Sequence, residues 1–398
     1  MLIVGFFSLA YLWFTLFPGG TAPGAGHYFT AAQVKQGREY SQVMRLLFIG
    51  SFAVEAAFLI WLVFRGYLNG ISVWAQQLAG GSYWGGVLFF FLALWLALRL
   101  ISLPFSIYGS YFWQHRWGFS TQSMGSWWLD YLKGAGLDLA LTSLGVILLF
   151  WLINRWPGAW WVAGAAFFSI WLVIETIIWP VAISPLFNRF EPVRDPAVVG
   201  MVRQLSEKAR LPVDQVLVMD ASQRTTKANA YFAGLGPTKR IVLYDTLLDK
   251  CPRDQVEAVV AHEMAHWRQG HIIKGLTLGV IGSFITWGIL FLLLKSTLPW
   301  SLHPAQPQVW AVLLLFFSLF SFAGSPLQNH ISRSMEKEAD RVAVELTGNA
   351  PAAVRLQVNL AAKNLSDISP PAFIQWFSYS HPPALTRIES IRQAGGMK

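Results

Sequence analysis

The sequence predicts a mainly α membrane protein, with seven transmembrane helices and two polar regions set among them. Three observations predict it. Of 398 residues, 54% are hydrophobic and only 13% are charged, about half the ~25% charged share of soluble proteins. Seven apolar runs approach the roughly 20 residues that a spanning helix needs. The charges are also segregated: residues 182–274 and 325–398 carry 37 of the 51 charged side chains, and the other 231 residues carry 14. A soluble globule of this size would need more polar surface. Disorder would need low hydrophobicity and high charge. The single cysteine, Cys251, excludes an internal disulfide framework and a multi-cysteine metal site. The net charge of +9 comes from basic residues scattered beside apolar runs. It reads as membrane-flanking charge, with the bilayer and not nucleic acid as partner.

In chain order the runs are Met1–Phe17, Leu46–Phe64, Trp84–Leu98, Leu139–Ile153, Trp160–Trp179, Leu276–Leu294 and Val309–Ala323. Trp84, Trp156, Trp179 and Trp300 edge several of them, as an interfacial belt would. The first run has no basic segment before it and no clear cleavage site, so it reads as a retained span and not a signal peptide. The segments are then residues 1–181 (spans one to five), 182–274 (first polar region), 275–324 (spans six and seven) and 325–398 (second polar region). Lys35, Arg38, Arg45, Arg99, Arg116 and Lys133 fall in short loops on one side, against Arg65, Arg155 and Lys295 on the other. Positive-inside then places both polar regions in the cytoplasm, on one face, where they can meet. Glu55, Asp138 and Glu175 lie in or at the edge of spans, where a carboxylate flags either function or a water-filled interior.

The first polar region contains His262-Glu263-Met264-Ala265-His266, an H-E-x-x-H pattern. Gln255-Val256-Glu257-Ala258-Val259-Val260 before it reads as helix, with Pro252 and Asp254 suited to its start. Four residues apart on a helix, His262 and His266 share a face. Two imidazoles so placed can hold one zinc ion, with Glu263 beside it as general base. A catalytic zinc takes three protein ligands. His271, five residues past His266, is on a less favourable face. Glu336 is the better candidate, although spacing alone does not separate it from Glu338. Asp340, one turn after Glu336, can accept a hydrogen bond from the free ring nitrogen of a ligand histidine. From His266 to Leu276 is about 15 Å along a helix, so the metal would sit at or just inside the membrane surface. Residues 214–221 and 239–246 read as strands flanking Ala228–Leu235. Pro382-Pro383 puts His381 on a stiff turn before the last helix. Nothing marks Cys251 as a nucleophile.

Joined to Ser332-Arg333-x-x-Glu336-x-x-Ala339-Asp340, this motif resembles the type I CAAX prenyl proteases, integral-membrane zinc metallopeptidases. Pro185-Leu186-Phe187-Asn188, Val218-Met219-Asp220, Asn229-Ala230-Tyr231-Phe232 and Arg240-Ile241-Val242-Leu243-Tyr244-Asp245 are similar to that family. So are Tyr379-Ser380-His381-Pro382-Pro383 and Arg387. Arg116-Trp117-Gly118-Phe119-Ser120 resembles its Gly-Phe-Asn turn, with Ser120 in place of Asn. The likeness covers the chain from about residue 100. It implies a barrel of seven helices around a water-filled chamber, with a cytoplasmic-side α+β zinc metallopeptidase domain. It implies one zinc ion held by His262, His266 and Glu336, with Glu263 as catalytic base. His381 would face the scissile carbonyl, Arg387 would support Asp340, and Asn229 and Ala230 would lie on an edge strand pairing with substrate. The expected partner is a peptide or protein substrate, lipidated or membrane-attached, cleaved as a CAAX protease trims a C-terminal tripeptide. The membrane would be the plasma membrane of a bacterium or the endoplasmic reticulum of a eukaryote. A membrane quality-control protease of the same clan is one alternative. A channel, transporter or substrate-holding pseudoprotease is another, and the intact Glu263 argues against it.

Overall fold

A computed structural model describes residues 1–213, 215–297 and 305–397. Trp300, expected at an interfacial edge, lies outside the described residues. The chain opens with α1 (Leu2–Leu16), α2 (Ala31–Phe64), α3 (Tyr67–Leu78) and α4 (Tyr83–Ile107). A π turn at Tyr108–Phe112 carries α4 into α5 (Trp113–Arg116), and α6 (Met124–Arg155) and α7 (Trp160–Ile178) follow. The first polar region holds β1 (Phe190–Pro192), α8 (Pro196–Ala209), β2 (Val216–Met219), β3 (Ala230–Ala233), β4 (Arg240–Tyr244), α9 (Asp245–Lys250) and α10 (Arg253–Arg268). Then come α11 (His271–Thr297) and α12 (Val309–Thr347). The chain closes with α13 (Ala350–Lys363), α14 (Ala372–Ser378) and α15 (Ala384–Ala394).

Among the described residues, six helices are long and apolar enough to cross a membrane: α2, α4 with its continuation, α6, α7, α11 and α12. The first apolar run forms a helix of only 15 residues, about 22 Å against a hydrocarbon core of about 30 Å. It ends before Phe17, whose following Pro18 disfavours helical backbone.

All six cations assigned to short loops on one side lie on helices: Lys35, Arg38 and Arg45 on α2, Arg99 on α4, Arg116 on α5 and Lys133 on α6; two of them, Arg45 and Arg99, are paired with an aspartate. α2 begins fifteen residues before its apolar run, at a capping box in which the Thr30 hydroxyl accepts from Gln33 N–H and the Gln33 side-chain Oε1 accepts from Thr30 N–H. Arg45 therefore lies within a helix. It is 6% exposed, with Nη2 2.6 Å from Asp367 Oδ2 and 2.9 Å from the Tyr379 hydroxyl. Arg99 lies on α4, 2.5 Å from Asp138 Oδ2, which also accepts from Trp95 Nε1. A charge needing a partner away from water finds one within the protein, so the charge asymmetry rests on fewer free cations than the loops suggested. Asp138 is accounted for by the same pair.

The sheet among the described residues has the order β1-β2-β4-β3. β2 and β4 are parallel, while β1 and β3 run antiparallel to their neighbours. β3 is an edge strand, registered Ala230↔Leu243 and Phe232↔Ile241. The strands are shorter than the sequence suggests because Asp220 and Asp245 leave the ladder for turn and helix-start hydrogen bonds. The turn after α5 docks here: Phe119 carbonyl accepts from Thr226 N–H, and Thr121 N–H donates to the Arg224 carbonyl. Lys227 lies 3.0 Å from the Tyr40 hydroxyl and over the Phe119 ring, tying α2 and the turn to the strand region.

One apolar core joins the two polar regions. Leu205 of α8, Ile241 and Leu243 of β4, Val260 and Met264 of α10, Ala339 and Val342 of α12 and Ile388 of α15 all pack in it. Ala25, Phe29 and Val34 from the start of the chain join them.

Candidate metal centre

α10 carries the H-E-x-x-H motif. It starts after Pro252, with Asp254 in its first turn and Arg268 in its last, charges that complement the helix dipole. Val256, Val259, Val260, Ala261, Met264 and Ala265 are buried, so apolar packing fixes the helix rotation. That rotation brings His262 and His266 round to the buried face of α12. The helix then breaks at Gly270, whose φ of +65° is left-handed and suits a residue without Cβ. The H-E-x-x-H helix therefore does not run straight into α11, and the straight-helix length of about 15 Å from His266 to Leu276 does not apply.

Three donor groups converge. His262 Nε2 and His266 Nε2 are 3.2 Å apart, and each lies 3.3 Å from a Glu336 oxygen. Ligands 2.0–2.1 Å from a tetrahedral zinc are separated by roughly 3.3 Å, so the spacing fits one ion. Glu336 Oε2 is buried without a hydrogen-bond partner among the described residues, though it lies within ion-pair distance of His262 and Arg387. An orphaned buried carboxylate oxygen is costly, and a bound cation would satisfy it.

The surroundings also favour positive charge. Burial works against a charged His262, but the carboxylates of Asp340 and Glu336 beside its two nitrogens outweigh it and push its pKa up to about 9. Arg387 is likewise held charged despite burial, by Asp340. Its Nε and Nη2 donate to the two Asp340 oxygens at 2.8 and 2.6 Å, and Asp340 Oδ1 lies 3.0 Å from His262 Nδ1. The outer nitrogen of His262 is thus held by a carboxylate that an arginine fork fixes in plane.

Glu263 is next to the convergence point. Burial pushes its pKa up, opposed by His262, His266 and a hydrogen bond from the Phe232 backbone of β3. His381 stands on the Pro382-Pro383 turn that starts α15. Its Nε2 is 3.2 Å from Glu336 Oε1, its Nδ1 is 2.9 Å from the Ser380 hydroxyl, and 58% of its side chain is exposed. Burial of the ring lowers its pKa, against the pull of Glu336. Asn229 is exposed just before β3, and Ala230, its first residue, is 3% exposed. Glu338 points away from the cluster and pairs with His271 and Lys274. Glu55 accepts from the Ser51 hydroxyl, and Glu175 is exposed.

A model of peptidase family M48 matches residues 192–394, just over half of the chain. The chain belongs to peptidase family M48. A second model, the CAAX prenyl protease N-terminal region of five membrane helices, matches residues 23–189. Among similar M48 relatives, the "Uncharacterized metalloprotease YhfN" of Bacillus subtilis is 30% identical over 93% of this chain and 88% of its own. CAAX prenyl protease 1 of Saccharomyces cerevisiae is 30% identical over 73% and 69%, and its Arabidopsis thaliana homolog is 32% identical over 74% and 70%. The crystal structure of Ste24p from S. mikatae superposes with a TM-score of 0.83 at 25% identity, covering 98% of both chains. This M48 protein is therefore a multi-pass membrane metalloendopeptidase with a mainly helical, Ste24p-like fold and a small sheet. Its family implies zinc, and the His-His-Glu cluster suits that ion.

Proposed function

We propose that this M48 peptidase hydrolyses a peptide bond in a lipidated, membrane-attached substrate, as the names of its CAAX prenyl protease relatives suggest. His262, His266 and Glu336 hold the zinc ion. The observation that carries this reading is the convergence of their donor atoms at separations of 3.2–3.3 Å beside Glu263. Zinc would supply Lewis acidity to the scissile carbonyl and the attacking water. Glu263 takes the proton of that water and passes it to the leaving nitrogen. Its raised pKa helps it hold the proton between the two transfers. With Nδ1 accepting from Ser380, His381 carries its hydrogen on Nε2, which lies 3.2 Å from Glu336 Oε1, and turns it to the developing oxyanion once substrate is bound. Asp340 and Arg387 orient His262.

Asn229 and the edge strand β3 pair with an extended substrate, a mode that main-chain hydrogen bonds support. Residues 182–274 and 325–398 act as one catalytic unit, which their shared apolar core supports. α1 adds a seventh span around a chamber, and the active site faces the cytoplasm.

Metal analysis together with a farnesylated C-terminal peptide tests it. Purified protein should hold one zinc and release a tripeptide, and Glu263→Gln should lose about 10²–10⁴ in rate while retaining the metal. Equal cleavage by both proteins would sink the assignment.

A further inference from the structure

His271 is almost fully buried, 5% exposed, and has no part in the reaction described above. In an unbroken helix it would face some 140° away from His266 at 100° per residue. The left-handed turn at Gly270 folds it back instead. Its Nδ1 then lies 2.9 Å from Nδ1 of His266, and its Nε2 lies 3.1 Å from Glu338 Oε2. Glu338 is in turn 3.6 Å from Lys274 Nζ.

Each proton along this line has one place. A carboxylate only accepts, so His271 carries its hydrogen on Nε2. A neutral ring protonated there has a bare Nδ1, which can only accept. His266 must then carry its own hydrogen on Nδ1 and donate it to His271. That leaves His266 Nε2 bare, with its lone pair on the side where His262 Nε2 and Glu336 meet it.

We propose that His271 is the positioning residue for His266, with Glu338 fixing the His271 ring so that its Nδ1 receives the His266 Nδ1–H. The proposal rests on the reading that His262, His266 and Glu336 hold zinc. It makes the two ligand histidines unequal. His262 is held directly by a carboxylate, whereas His266 is held through a neutral ring that opens a membrane helix.

Zinc affinity by chelator competition tests the proposal on the full chain in detergent, with His262→Ala as control. The absorption spectrum of the cobalt-substituted protein gives a second readout. Removing an outer hydrogen-bond partner of a metal ligand weakens binding about 10–100-fold, and His271→Ala should do so with an altered cobalt spectrum. His271→Asn places an amide oxygen near the lost Nδ1, and it should recover most of the affinity and the spectrum. Wild-type affinity in His271→Ala would overturn the proposal. So would His271→Asn as weak as His271→Ala, which would mark a packing role only. If His262→Ala bound zinc as tightly as wild type, the ligand assignment itself would fall, and the proposal with it.

Discussion

His381 stands apart from the His-His-Glu cluster that suits a metal ion. It touches the buried Glu336 yet remains more than half exposed, against 13% and 21% for the His262 and His266 side chains, so it is the member of the site most open to a substrate. A donor used only as negative charge develops should act on kcat and spare KM. We expect His381→Ala to lose about 10²–10³ in kcat with KM nearly unchanged, and steady-state kinetics on a farnesylated peptide would show it. A rise in KM alone would mean that the ring only binds substrate. Cys251 gives the opposite case. Burial pushes its thiol pKa up, against the nearby Lys363 and Lys250, and the reactive form is the thiolate. Near neutral pH the folded protein should resist iodoacetamide and remain active; labelling should appear only on unfolding or as pH rises past the raised value. At this scale much was legible. The H-E-x-x-H spacing places two imidazoles and a base on one helix without further information. Spacing alone did not separate Glu336 from Glu338, which the family resemblance did, because both ride the same helix and only the rotation of α12 against α10 distinguishes them. The place of His271 was hidden for a related reason: a helical wheel drawn through Gly270 points it the wrong way, and that glycine was the available signal.

Elements meet where side chains allow them to. Gly37 of α2 lies so close to the segment after α13 that a Cβ there would stand 2.2 Å from the Ser366 carbonyl oxygen. Backbone cannot retreat as a flexible side chain can. Gly37→Ala should therefore cost about 1–3 kcal/mol, read as a lower unfolding temperature of the purified protein; an unchanged value would mean that α2 can slide. This junction adjoins the buried Arg45–Asp367 pair, whose partners are 322 positions apart. Such a pair is invisible to a reading that scores charges by their local flanks, which is why Arg45 looked like a loop cation. The strands were legible in place but not in length, since the turn chemistry of Asp220 and Asp245 ends them early.

At the scale of the whole molecule, one member of the His-His-Glu cluster rides on a helix long enough to cross a membrane. α12 runs 39 residues from Val309 to Thr347, and Glu336 sits on the same rod as the apolar Leu313 and Leu315. About 35 Å of helix separates Leu313 from Glu336. A tilt of about 3° at the lipid end would swing the carboxylate by about 2 Å, as far as a zinc–ligand bond is long. Helices accommodate a bilayer of the wrong thickness by tilting. In vesicles of graded acyl-chain length, cleavage should peak at one thickness and fall several-fold on either side, with zinc retention falling in step; a flat profile would mean that Pro326, ten residues short of Glu336, acts as a hinge that absorbs the tilt. α12 is in this sense a lever arm with one end in oil and the other at the bond to be cut. The enzyme would carry a built-in gauge of the membrane that delivers its substrate.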